Sequence, residues 1–439
     1  MAGWFNANST PATNIHQLYK LGDDGSVTMW TANPGDNTEP DQGLNPFDLT
    51  LFNNAVWFSG ETTTDGNQLY KLGADGSVTL WTDIHSGGIG LFGNDDQPDF
   101  TVFNNALWFR GENAATDFEQ LYKLGADGSV TKWTSLNAGG GGIDPQNLIV
   151  FNNALWFDGN TPANGFQLYK LGADGSVTKW TSIGNGLSPS DEIIFNNALW
   201  FTGQNPPGQF QLYKLGNDGS VTQWTANPGI GTGLNPEDKT VFNDALWFAG
   251  LTPANGFQLF KLGNDGSVTQ WTAIGNGLDP FQMTVFNNAL WFNGVNAGQS
   301  ELYKLGFDGS VTKWTANPGT GGGLNPDFLT VFNGALWFDG QTPAHGVQLF
   351  KLGNDGSVTQ WTDIFGGGIG LNPVPVSAVA RDPDSTPLSV ANNGLWFSGH
   401  NPTLGTELYK LGTDGSFTFW KDINPGPDGS LPKDWALLG

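Results

Sequence analysis

A phrase of the form Leu-(Tyr/Phe)-Lys-Leu-Gly-x-Asp-Gly-Ser-(Val/Phe)-Thr-x-Trp recurs nine times in this chain. Its first leucines are Leu18, Leu69, Leu121, Leu168, Leu212, Leu259, Leu302, Leu349 and Leu408. The mean spacing is about 49 residues, so nine supersecondary units account for the whole length. A chain built this way folds as an array of like modules, and each module must bury its faces against its neighbours.

Each unit reads as four short strands. Segments such as Leu-Thr-Val-Phe and Ala-Leu-Trp-Phe are separated by Asn-Asn (Asn53 and Asn54, Asn104 and Asn105, Asn152 and Asn153), residues that tolerate the positive φ of a two-residue hairpin. Gln-Leu-Tyr-Lys-Leu and Ser-Val-Thr-x-Trp follow, joined by a Gly-x-Asp-Gly turn such as Gly73 to Gly76. Four antiparallel strands in a period near 50 residues predict an all-β, single nine-bladed β-propeller over residues 1–439.

Eighteen of the 19 tryptophans fall on two repeated positions, one in Ala-Leu-Trp-Phe and one at the end of Ser-Val-Thr-x-Trp. Within Ala-Leu-Trp-Phe, alternation sends Ala and Trp to one face and Leu and Phe to the other, as a strand sandwiched between two blades requires. The chain ends complement each other. Leu438-Gly439 and Met1 to Phe5 continue the pattern of one hairpin, which predicts that the last segment supplies the innermost strand of the first blade and closes the ring.

The 17 basic and 41 acidic residues give a net charge of −24. Nine lysines and nine aspartates belong to the repeated phrase, so the excess acid lies outside it, largely in loops. Such a surface repels nucleic acid and anionic membranes. Hydrophobic content of 38 % in short strands offers no spanning segment, and no signal peptide precedes the first strand. The absence of cysteine removes disulfides and thiol chemistry and leaves the compartment open. A monomer is expected.

Two connections vary between units: the loop after Ala-Leu-Trp-Phe and the loop between blades. In a propeller both emerge on one face, the expected place for a carbohydrate or protein partner. The segment 373–384, which holds Arg381, is the longest excursion. Ligand-stacking candidates on the loop face are Phe166, Phe210 and Phe257. Beside them stand Gln167, Gln211 and Gln258, members of a Gln/Glu position that precedes every Leu-(Tyr/Phe)-Lys. Their structural reading is a hydrogen bond repeated between blades; their functional reading is a polar groove walled by Tyr or Trp that suits a sugar.

The inter-blade loop ends in a recurrent Gly-Leu-Asn-Pro, and soon after it come Asp48, Asp191, Asp238 and Asp434, with Asp99 and Asp327 nearby. On innermost strands these carboxylates would ring the channel mouth and supply the hard oxygen ligands that Ca²⁺ takes. The alternative is that they serve the turn itself or face water. Catalytic signals are poor: His16, His85, His345 and His400 sit at mismatched positions, and no nucleophile elbow or phosphate loop occurs. The expectation is a protein that is not an enzyme, against the alternative of a glycan-active enzyme using the acidic mouth.

The last unit contains Glu407, Leu408, Asp414, Gly415 and the run Lys421 to Gly426 (Lys-Asp-Ile-Asn-Pro-Gly), and in these residues it resembles the bacterial ELWxxDGT-type, hyalin-like repeat. Tyr409 and Ser416 depart from that pattern. The resemblance implies a β-propeller in a secreted or surface-attached bacterial protein, acting in binding or adhesion. Units as alike as the two copies of Thr-Pro-Ala-Asn-Gly-Phe-Gln-Leu also fit a symmetric scaffold with no ligand, arising by recent amplification or by design.

Overall fold

The computed structural model describes residues 3–9, 16–22, 24–31, 43–62, 66–82, 89–91, 100–113, 119–135, 142–161, 165–184, 186–205, 208–225, 233–275, 277–315, 323–342, 346–362, 370–371, 388–401, 403–423, 430 and 432–437. The fold is an all-β, nine-bladed β-propeller, with one antiparallel sheet per blade. No helix among the described residues is long and apolar enough to cross a membrane.

The chain divides into two compact units, residues 147–363 and the remainder. The first holds five blades of identical order, here blades IV to VIII. Blade V is representative: Ser190–Phe195, Ala198–Asn205, Gln209–Leu215 and Val221–Gln223, from innermost to outermost strand. The second unit holds blades I, II, III and IX. In blades III and IX two short strands share the innermost position; Gly370–Leu371 and Leu388–Ala391 both pair with Gly394–Asn401. The segment 373–384 lies outside the described residues. Blade I consists of Lys433–Leu437, Gly3–Asn8, His16–Leu21 and Val27–Met29. Gly3 stands opposite Leu437 and Trp4 opposite Ala436, so the two chain ends are paired as the sequence predicts.

Every Asn-Asn turn adopts the left-handed pair of angles expected; Asn53 and Asn54 have φ of 50° and 58°. The Asp-Gly turn is different. Gly76 N donates to Gly73 O at 2.9 Å, which places Ala74 and Asp75 at the centre, and only Gly76 is left-handed, at φ 84°. The aspartate is selected for its carboxylate: Asp75 Oδ1 accepts from both Ser77 N (3.0 Å) and Ser77 Oγ (2.7 Å).

The core lies between blades. Ala55 and Trp57 pack with Leu107, Phe109 and Tyr122 of blade III, while Val56 and Phe58 pack with Trp4 and Leu18 of blade I. Successive residues of one strand therefore serve opposite neighbours, as the two apolar faces of that segment demand. Trp57 is only 3 % exposed, and its indole meets Trp81 edge-on at 5.1 Å with Lys71 Nζ 5.5 and 5.0 Å from the two rings. The second set of tryptophans is less buried, because these residues directly follow the outermost strands; Trp180 and Trp271 are 37 % and 38 % exposed.

Deleting residues 433–439 removes the innermost strand of blade I and exposes the edge of Gly3–Asn8. The truncated chain should melt lower by roughly 5–10 °C. An unchanged calorimetric transition would refute closure by these strands.

Candidate functional site

Between blades IV and V the outermost strands diverge and leave a groove of about 510 Å³, lined by Trp180, Thr181, Ser182, Ile183, Tyr213, Gly219, Val221 and Gln223. Its walls follow from the repeat. Trp180 directly follows the outermost strand Val177–Lys179 of blade IV and lays its indole on the turn of blade V, donating from Nε1 to Gly219 O at 2.7 Å. Gly219 is left-handed, at φ 81°, and a Cβ on it would stand 2.7 Å from Trp180 Cζ2. Only glycine fits. On the opposite wall Tyr213 and Gln223 are partners across the ladder, and Tyr213 Oη lies 3.3 Å from Gln223 Oε1. Gln223 Nε2 donates to Thr225 O at 2.7 Å, which fixes the amide.

Of the glutamines named from sequence, Gln167 stands behind this wall. Gln167 is fully buried; its Oε1 accepts from Thr181 Oγ1 (3.0 Å) and Ile183 N (2.9 Å), and its Nε2 donates to Ile183 O (2.8 Å). Gln258 repeats the arrangement with Thr272 and Ile274, and Gln211 accepts from Thr225 Oγ1 at 2.8 Å. The partner lies in the same blade or its exit, where the sequence reading placed it across a blade boundary. The amide is spent on shaping the groove. Phe166, Phe210 and Phe257 are partly buried and do not line the groove; their carbonyls accept from Leu187, Asn235 and Leu278 of the returning inter-blade loops, at 2.7, 3.0 and 2.8 Å.

Asp48, Asp191 and Asp238 share one backbone role, with φ of 54°, 53° and 52° at a register shift of the innermost strand. Asn147, Gln282 and Phe328 occupy the same left-handed position in other blades. Asp and Asn suit such angles, so the turn reading explains why they recur. Asp434 lies in the strand Lys433–Leu437, and its side chain is outside the described residues. Among the described residues no three His, Asp or Glu side chains assemble as a metal site. Asp191 instead meets Lys239, whose Nζ donates to Asp191 Oδ2 (2.7 Å), Thr202 Oγ1 (2.7 Å) and Pro236 O (3.2 Å). Three acceptors satisfy the three ammonium protons. Of the histidines, His16 Nδ1 pairs with Asn6 Oδ1 at 2.8 Å and His400 with Thr406, while His85 and His345 are outside the described residues.

The reading from sequence missed one position, the residue that follows Trp-Phe in the second strand. It is Asn6, Ser59, Arg110, Asp158, Thr202, Ala249 and Asn293 in seven blades, all buried. Its signal was variation inside an otherwise constant strand. In blades IV and V it joins a polar chain that breaks the repeat. Asp158 accepts from Asn147 Nδ2 at 2.9 Å through Oδ2, while its Oδ1 has no partner among the described residues. Burial, reinforced by the Glu192 charge, pushes the Asp158 carboxyl well above the usual carboxylate range. Burial likewise raises Glu192 to about 7, opposed by Lys239.

No protein-family model matches the chain, and no curated protein matches it. Solved structures do. A streptogramin B lyase is 20 % identical over 67 % of this chain and 90 % of its own, with a TM-score of 0.37. A prolyl endopeptidase is 11 % identical over 72 % of this chain and 49 % of its own, at 0.43, so the match spans about half of that enzyme. Oligopeptidase B from Leishmania major is 10 % identical over 72 % and 47 %, at 0.41. Likeness this low carries no statement about the activity of this chain.

A carboxyl whose folded pKa is raised keeps its proton in the native state while the unfolded state has lost it, so stability falls as pH rises from about 4 through the raised value. For Glu192 that window ends near pH 7. Asp158→Asn should therefore raise stability at pH 8 by about 1 kcal/mol, the scale of a buried unpaired polar group, and change it little at pH 4. Thermal melts of the variant and parent across this range check the sign.

Proposed function

We propose that this chain is a non-catalytic binding module that holds carbohydrate in the grooves between its blades. The groove of blades IV and V carries the reading: the part-exposed Trp180 indole forms one wall, and the fixed Gln223 amide, backed by the nearly buried Tyr213, forms the other. An aromatic wall accepts the apolar face of a pyranose, and amide and hydroxyl groups take its hydroxyls. The same construction recurs between blades V and VI, with Trp224, Phe260 and Gln270, and between VII and VIII, with Trp314, Phe350 and Gln360. Repeated weak sites on a rigid frame gain by avidity, roughly 10²–10⁴-fold where geometry allows simultaneous engagement.

The likeness to ELWxxDGT-type repeats agrees with adhesion outside a bacterial cell. The near identity of units favours a second reading, a symmetric scaffold without a ligand. The polar chain of Asp158, Glu192 and Lys239 does not supply a better case for catalysis, since its lysine is consumed by Asp191, Thr202 and Pro236.

Retention on immobilised neutral polysaccharides (glucan, mannan, galactan) separates the readings. The parent should be retained on at least one, and the triple change Gln223→Ala, Gln270→Ala, Gln360→Ala should weaken retention about tenfold or more, as loss of several weak contacts does. Tyr213→Phe serves as a folding control, because Phe260 and Phe350 already fill the equivalent places. Equal, negligible retention on coated and bare surfaces would leave the scaffold.

A further inference from the structure

We propose that Asp327 and Asp339 form a proton-held latch at the head of the innermost strand of blade VIII, closed while the pair keeps one proton and opened when that proton passes to water. The strand is Asp327–Phe332, and its ladder with Ala335–Thr342 sets Asp327 directly opposite Asp339. The equivalent pairs in four other blades are Phe47 with Ser59, Ser190 with Thr202, Glu237 with Ala249, and Phe281 with Asn293. Of these five, blade VIII alone faces acid with acid, an arrangement that repels once both carboxylates are charged. Blade II reads Phe47-Asp48 where blade VIII reads Asp327-Phe328, and the second residue is left-handed in both, at φ 54°. The exchange moves the acid into the ladder and leaves an aromatic residue at angles that suit Asp better.

The two carboxyls are not equivalent. Asp327 Oδ1 accepts from Phe328 N at 3.1 Å, and Gln282 of blade VII also bonds the Asp327 carboxyl. Asp339 accepts from Asp327 N, and its buried Oδ1 has no hydrogen-bond partner among the described residues. Burial raises both groups, and the Asp327 charge adds to the effect on Asp339, so Asp339 keeps the proton. Among the described residues neither acid makes an ion pair. The adjoining strands of blade VII, Phe281–Phe286 and Ala289–Asn296, carry no titratable side chain, and neither does Leu388–Ala391 in the other compact unit. Lys351 on the third strand of blade VIII lies over Trp337 and Trp361, and Glu301 of blade VII is engaged by Thr315 and Lys313. The head of the strand also ties blade VIII to blade VII: Asn325 N donates to Ser300 O at 2.9 Å, and Pro326 O accepts from Asn293 Nδ2 at 2.7 Å. The ladder resumes at Thr330 opposite Trp337, beyond the register shift, so repulsion between two carboxylates frees residues 325–328 and leaves the core in place. The closed latch holds a proton that the open one has lost. Closing is therefore favoured at low pH and weakens by up to about tenfold for each pH unit between the ordinary carboxylate range and the raised one.

Hydrogen exchange at the Asn325 and Phe328 amides reads the latch in the full chain, as protection relative to an unstructured peptide so that the intrinsic pH dependence cancels. In EDTA the parent should lose about tenfold or more of this protection between pH 5 and pH 8. Asp339→Asn supplies the residue that blade VII carries at Asn293, and it should stay protected at both values. Asp327→Asn should do the same; each change neutralises the pair, so either folded variant suffices. Asp158→Asn, which removes the buried acid of blade IV, should leave the parent's loss unchanged. Equal protection of the parent at pH 5 and pH 8 refutes the latch. A loss undiminished in Asp339→Asn and Asp327→Asn assigns the effect to another group and refutes it as well. Protection of the parent that requires millimolar Ca²⁺ at both pH values makes the pair a cation site and overturns the proton-held reading.

Discussion

The contact on which the rest of this molecule depends joins one blade's last tryptophan to the next blade's turn. Trp30, Trp81, Trp180, Trp224, Trp271, Trp314 and Trp420 each donate from Nε1 to the carbonyl of a turn glycine in the following blade, Gly25 closing the series onto blade I. Each bond contributes on the order of 1 kcal/mol, but it also fixes where the indole lies. The glycine must be left-handed and bare, which is why Asp-Gly hardly changes. The turn's aspartate holds the following serine, and the turn asparagine of one blade reaches the next, as Asn53 Nδ2 does to Ala126 O at 2.9 Å. One small set of side chains therefore specifies both the hairpin and the seam between blades.

The repeated lysine belongs to the same device. Lys71 lies over both Trp57 and Trp81, and its counterparts from Lys20 to Lys410 lie over the corresponding pairs. A cation between two indoles is worth about 0.5–2 kcal/mol and needs no carboxylate. The turn aspartates are thereby left to hold their serines. The other acids near the frame are answered locally: the buried Lys239 ammonium binds the exposed Asp191, Arg110 holds Asp144, and burial pushes the Asp158 carboxyl well above the usual carboxylate range. These answers differ from blade to blade. They are the points at which nine like units become distinguishable, and the grooves differ for the same reason.

Blade number, strand order, the Asn-Asn hairpins and the pairing of the chain ends were all legible, because each depends on contacts between residues at fixed offsets in the repeat. The alternation that puts Trp57 against blade III and Val56 against blade I follows from the period of a strand alone. Two roles were less legible. Asp48, Asp191 and Asp238 look like a ligand ring in sequence, yet their recurrence follows from a left-handed bulge that Gln282 and Phe328 also occupy. Gln167 looks like a ligand for sugar hydroxyls, yet Thr181 and Ile183 consume its amide.

Sequence by itself determined the frame of this protein: a periodic pattern of apolar pairs and turn residues has only one way to bury both faces of every strand. Tertiary structure decided which side chains remain available. Whether Gln223 lines a groove while Gln167 supports it depends on which groups meet across strands and blades. A residue's hydrogen-bonding capacity is consumed by its neighbours in space, and that accounting begins only once the chain is folded.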